Sequence, residues 1–215
     1  MSSDASPFLQ TFEQLPGSLA IFPLPGVVLL PGAKLPLNIF EPRCLNMVQD
    51  AMQSSHLIGM IQPGQESESK ALSAVGCAGR ITHYRETGDG RFEIVLSGVC
   101  RFRVATELPT VRGYRLVQPD WAPFSGDYDE QFVSDQQLLS FRQALKQHFA
   151  SLDIEPDWET MDKLEADALV NNLVMALPLD GADKQLLVEA PDLEKRIQLF
   201  ITLLSSSQDT EATRH

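Results

Sequence analysis

The chain is 215 residues long, 43% hydrophobic and 21% charged, with a formal charge of −12 and a pI near 4.7. That length can bury a real core, and the composition belongs to a globular chain and not to a disordered one. The acidity argues against a protein built mainly to hold nucleic acid: DNA is excluded as an expected partner and RNA is disfavoured.

The N-terminal MSSDASPFLQ has neither the basic nor the apolar section of a signal peptide. No run reaches the roughly 18–20 apolar residues of a membrane span, and Leu19 to Leu30 is broken by Pro23 and Pro25. A cytoplasmic protein without a membrane partner is the expectation. Cys44, Cys77 and Cys100 are far apart and form no CxxC, so they read as small buried hydrophobes in a reducing compartment.

Along the chain, the segment IFPLPGVVLLPGAKLPLNIFEPR, Ile21 to Arg43, packs apolar residues between prolines and glycines. No helix or long strand runs through such spacing, so Val27 to Leu30 and Leu35 to Phe40 are predicted as short strands joined at Pro31-Gly32. Pro42 suits the first turn of a helix with Cys44, Leu45, Val48 and Met52 on its apolar side. Leu57 to Ile61 is a buried strand, and Gly64 to Lys70 a polar, mobile loop. Ile81–Glu86 and Arg91–Leu96 flank Thr87-Gly88-Asp89-Gly90 as a β-hairpin. Past Ser97-Gly98, Cys100, Phe102 and Val104 fall on one face and Arg101 and Arg103 on the other; Tyr114 to Gln118 adds a strand.

The period becomes helical after Pro119 to Gly126. Leu138, Phe141, Leu145 and Phe149 mark one helix; Met161, Leu164, Ala168, Leu169 and Leu173 a second; Ala182 to Ala190 a third; Leu193, Ile197, Phe200, Ile201 and Leu204 a fourth. Asp153 to Trp158 is a loop. The predicted organisation is a β-rich unit over 1–122 with one helix near 42–53, a helical unit over 123–207 and a disordered tail over 208–215.

Charge is uneven. Seven arginines stand against four acids from Arg80 to Arg115, while twelve acids face three basic residues from Asp120 to Asp167. Solvated faces account for most such patterns. A phosphate loop resembles GVVLLPGAK only superficially: the spacing is one residue too long, and Leu35 replaces the hydroxyl residue. GxSxG, HExxH and CxxC are absent, and His56, His83, His148 and His215 are scattered. The acids Asp153, Glu155, Asp157 and Glu159 read as a solvated loop and not as an acid–base pair. No cofactor, metal site or catalytic residue is expected, and the chain is not predicted to be an enzyme.

Three motifs together carry a resemblance: LLPG…LPLNIFEPR, the strand start VGCAG, and the hairpin DGR…RFRV ending at Val104. The chain resembles the N-terminal substrate-binding domain of Lon proteases, and Leu186 to Leu204 is similar to its closing helices. The same domain occurs in stand-alone bacterial proteins and in ubiquitin-ligase adaptors such as cereblon. The resemblance implies an α+β fold, a PUA-like β pseudo-barrel followed by a helical bundle, without the ATPase and protease modules of a full Lon.

It also implies a non-catalytic module that recognises unfolded or partner polypeptides, through an apolar groove or an open strand edge near the junction of barrel and helices. Phe40, Glu41 and Arg43 are the candidate binding residues. Their alternative role is structural, with Glu41 complementing the helix dipole and Arg43 pinning the helix to the barrel. RNA binding through the arginine-rich half is the alternative function, hydrolysis has no supporting residue, and a homodimer is compatible with either reading.

Overall fold

A computed structural model describes residues 10–64, 71–110 and 112–212, with side chains described to Ser206. Of the loop predicted over Gly64 to Lys70, residues 65–70 lie outside the described residues, as does the predicted tail beyond Ala212; for 208–212 only the backbone is described.

The β-branched and aromatic runs form six strands: β1 (Leu19–Pro23), β2 (Lys34–Ile39), β3 (Leu57–Ile61), β4 (Val75–Glu86), β5 (Phe92–Leu108) and β6 (Arg115–Asp120). They pair in the order β2-β5-β4-β3-β1-β6, and β6 also pairs with β5. Five strands therefore close a circuit, with β2 left as a flank. The length of β5, 17 residues, makes closure possible. Its first part pairs with β2 and β4, and its last part, Arg103 to Leu108, pairs with β6. Register shifts at Ala78/Gly79, Ile81/His83 and Val104/Thr106 bend the long strands as closure requires.

Inside the circuit Leu19, Ile21, Leu57, Ile61, Phe102 and Val117 form one apolar cluster. Helix α1 (Pro42–Met52) covers a second, burying Cys44, Met47, Val48 and Ala51. Pro42 starts it, as predicted, because its missing N–H is unneeded in a first turn. The remaining helices are α2 (Asp135–Ser151), α3 (Trp158–Met161), α4 (Ala166–Ala176), α5 (Gly181–Glu189) and α6 (Leu193–Ala212). They share a third core with Val28, Leu30, Val75 and Cys100, with the tilted Phe141 and Phe200 rings 5.4 Å apart.

Three expectations need correction. Val27 to Leu30 is not a strand: Val28, Leu29 and Leu30 are buried, but this segment crosses β5 instead of running beside it. The crossing is closed by Gly32 N–H donating to the Gly98 carbonyl (3.0 Å) and Gly98 N–H donating to the Ala33 carbonyl (2.8 Å). Second, Met161 to Leu173 is split into α3 and α4, because the chain turns at Asp162–Leu164 and restarts with Glu165 in an extended cap conformation. Third, Arg101 does not face solvent.

Arg101 is 3% exposed and binds Asp127 through Nε and Nη2, while its own main-chain N–H donates to Asp127 Oδ2 at 2.8 Å. The remaining donors reach the carbonyls of Val188 (3.1 Å), Ala190 and Pro191 (3.3 Å), where α5 ends and its last carbonyls lack helical partners. From α6, Arg196 Nε donates to the Leu187 carbonyl at 2.9 Å. Arg196 Nη1 donates to Asn171 Oδ1, and Asn171 Nδ2 to the Pro31 carbonyl, both within 2.9 Å. Two buried arginines thus fasten the end of α5 to the sheet and to α6.

Asp127→Ala leaves Arg101 buried without its counter-charge, so urea denaturation is expected to show a loss of about 3–5 kcal/mol. A Cβ at Gly98 would lie 2.0 Å from the Leu30 carbonyl oxygen, a rigid neighbour. Gly98→Ala is expected to cost at least about 1–3 kcal/mol in the same measurement, whereas Gly17→Ala, with nothing within 4 Å of the new methyl, serves as the neutral control.

Candidate functional site

The proline-spaced segment delivers Phe40, Glu41 and Arg43 to the entrance of α1, where Glu41 and Arg43 pair and Phe40 lies against Arg91. Phe40 is 61% exposed, with the Arg91 guanidinium 5.8 Å from its ring centre. Glu41 caps α1 with extended backbone and accepts the Cys44 and Leu45 amides through its carbonyl. Its carboxylate receives Arg43 Nε at 2.9 Å, both side chains being largely exposed. Arg43 therefore pairs within its own turn and does not pin the helix to the sheet; the guanidinium is pushed up by this hydrogen bond and by the Glu41 charge.

The pin lies one to two turns further on. Asp50 receives Arg112 Nη1 at 2.6 Å and the Tyr114 hydroxyl at 2.8 Å, and Asn46 exchanges hydrogen bonds with the Arg112 guanidinium and carbonyl. This cluster fixes α1 against the turn between β5 and β6 and orients the Tyr114 ring. Burial, then the Asp50 hydrogen bond, raises the Tyr114 phenol.

Between these elements lies a groove of about 550 Å³. Ile21, Phe22 and Pro23 of β1 and Cys44 and Met47 of α1 give it apolar walls, and Tyr114 and Pro63 close its sides. Its charged rim is Arg43 and the Arg115–Glu107 pair, which is bidentate with both contacts at 2.7 Å. The exposed Arg43–Glu41 pair contributes little to stability, so the Arg43 guanidinium can turn to groups on a ligand. Pro63 also borders a wider cleft of about 900 Å³ at the sheet–helix junction, where Gln62 donates to the Gly181 carbonyl (2.7 Å) and Leu186 is 51% exposed.

Of the three candidate residues, only Arg43 lines the groove. Phe22, Met47, Tyr114 and Arg115 were not singled out from sequence because they are brought together from segments far apart in the chain. The Gly113-Tyr114 pair was the one local signal, an aromatic leaving a positive-φ glycine.

Nothing in this groove is activated for nucleophilic chemistry. Burial pushes the Cys44 thiol up, and does the same to Cys77 and to Cys100, the last to about 12, so all three stay protonated near neutrality. Among the described residues no group of three or more His, Cys, Asp or Glu side chains is placed to hold a metal ion. Among them, too, no helix is long and apolar enough to cross a membrane.

With this geometry in view, the family can be stated. The model of the ATP-dependent protease La (LON) substrate-binding domain matches residues 18–206, and the chain belongs to that family. It is 24% identical over 216 residues to a Lon protease of Anaeromyxobacter dehalogenans, a match covering 94% of this chain and 25% of that protein. The chain thus spans about a quarter of the length of the curated relatives it matches. Its fold is that of a Lon N-terminal domain protein from Xanthomonas campestris (TM-score 0.63, 24% identity, 86% of this chain and 97% of that one). The N-terminal domain of Mycobacterium avium complex Lon protease is similar too (TM-score 0.65, 19% identity, 87% and 98%).

Because the Arg43–Glu41 pair is exposed on both sides, Arg43→Ala is expected to leave stability within about 1 kcal/mol of wild type. A loss of several kcal/mol on thermal or urea unfolding would restore the pinning role to Arg43.

Proposed function

We propose that this chain is a non-catalytic polypeptide-recognition module that takes up extended, partly apolar segments of unfolded or partner proteins in the groove between β1, α1 and the start of β6. Membership of a substrate-binding domain family carries the reading. The groove supports it: apolar walls supply burial, and the charged rim, Arg43 above all, supplies polar contacts to a bound main chain or side chain. Burial of all three thiols, which keeps them protonated, gives no support to thiol-based covalent chemistry. We read the closed strand circuit as a PUA-like pseudo-barrel over 1–122, followed by a helical unit over 123–207.

The arginine-rich half suits this better than RNA binding. Arg85, Arg91, Arg101, Arg112 and Arg115 each pair with an acid of the same chain, which leaves few guanidiniums for phosphates.

A tiled peptide array and a permanently unfolded, alkylated model protein test the proposal. Saturable binding is expected, weakened about tenfold or more by Phe22→Glu, which puts a charge in the groove wall, and by the exposed Arg43→Glu. Absence of saturable binding by the wild-type chain overturns the reading. Binding that survives both substitutions in folded protein moves recognition away from this groove.

A further inference from the structure

Of the seven arginines between Arg80 and Arg115, five have acid partners, and Arg103 stands exposed on the outer surface. Arg80 differs from all of them. It lines a cleft of about 690 Å³, on the far side of the β4–β5 ribbon, and its side chain makes no ion pair or hydrogen bond among the described residues. Ser97 is its cross-strand neighbour on β5, so the floor presents a guanidinium and a hydroxyl side by side.

Two short 3₁₀ segments build the walls. One, Phe12–Gln14, brings Phe12; the other, Ala122–Tyr128, brings Ser125 and Tyr128. The Phe12 and Tyr128 rings meet edge to face at 5.8 Å and form an apolar corner. The hydroxyls of Ser97, Ser125 and Tyr128 bond to nothing among the described residues. Burial pushes the Tyr128 phenol up to about 12, so it remains a donor near neutrality. The nearby acids are mostly engaged: Asp127 holds Arg101, and Glu13 is held by its own main chain and by Thr11. The Arg80 guanidinium and three unpartnered hydroxyls therefore share a cleft whose lining also holds the Glu13 and Asp129 carboxylates and the buried, unpartnered Gln10 Oε1, so an acceptor-rich anion fits there only against the donors of the floor and wall.

We infer that this cleft receives the C-terminal carboxylate of a polypeptide whose last side chain is apolar or aromatic. The carboxylate pairs with the Arg80 fork and accepts from the Ser97 and Ser125 hydroxyls, while the terminal side chain packs into the Phe12–Tyr128 corner. A single negative charge is favoured over a phosphate because Glu13 and Asp129 stand at the rim and the chain carries −12 overall. The inference rests on the polypeptide-recognition reading for the class of ligand, but uses a site separate from the groove.

Fluorescence polarisation with short labelled peptides ending in phenylalanine, as the free acid or the amide, tests it on the full chain. The free acid is expected to bind at least about tenfold more tightly. Arg80→Ala is expected to erase that preference and Arg80→Lys to keep part of it, with unchanged thermal midpoints because the Arg80 side chain makes no ion pair or hydrogen bond among the described residues. Equal binding of acid and amide, or a preference that survives Arg80→Ala, overturns the inference. So does N-acetylphenylalanine binding as tightly as the peptide, which would assign the cleft to a small carboxylate. If the unfolded model protein still binds in a Phe22-dependent manner while the acid preference is missing, only end recognition falls. If the acid preference is present and the model protein does not bind, only the groove reading falls.

Discussion

The architecture hangs on the buried Arg101–Asp127 pair. Exchanging such a pair for apolar residues is often neutral in energy, so its value here lies in direction and not in net stability. One guanidinium satisfies a carboxylate and three carbonyls at once, and stacks on Phe124 at 4.6 Å. The carbonyls sit at the end of α5, which carries negative partial charge. With Arg196 on the neighbouring carbonyl, the sheet and α6 grip the same helix end from two sides. Among the described residues Arg196 has no carboxylate in contact, and burial, followed by the nearby Arg101 charge, pulls its guanidinium down to about 10. Asp127, which pairs with Arg101, also opposes that fall at Arg196, ahead of Asp192.

That pair also places both candidate binding regions. Asp127 and Tyr128 are consecutive, so fixing the carboxylate inside holds the phenol at the rim of the Arg80 cleft. Arg101 lies on β5, which continues to Glu107, the acidic partner of Arg115 at the groove. A single long strand, anchored at its middle, therefore supplies residues to two concave surfaces that do not touch.

Much of the fold was legible where local chemistry is unambiguous. Leu57 to Ile61 is apolar throughout and buried throughout, so its prediction as a strand coincides with β3. Pro42 marks the start of α1 for a reason internal to the residue. Val27 to Leu30 misled because a buried crossing segment and a buried strand have the same composition; the partner that separates them, Gly98, is distant in sequence. Arg101 misled because alternation assigns a strand two unlike faces, and here the 3₁₀ segment Ala122–Tyr128 and the end of α5 cover the second face as well. The candidate site was legible only at Arg43. Grooves are made by residues that meet through topology, and a family motif at the α1 entrance reports the entrance and not the wall opposite.

The remaining route to a polypeptide, strand addition, is closed off by the sequence of the edge itself. Among the described strands, β2 has one neighbour and so one open side. Its pairing with β5 runs unbroken through Pro36 opposite Val95, so the proline nitrogen, with no hydrogen to give, must point to the open side. Lys34 and Asn38, two residues to either side, share that direction and are exposed. An incoming strand would meet a missing donor at the centre of the edge and a charge at its start, the arrangement by which native sheets resist edge pairing. The proposed recognition therefore rests on side-chain-lined grooves, and the apolar walls and exposed Arg43 beside α1 are suited to it.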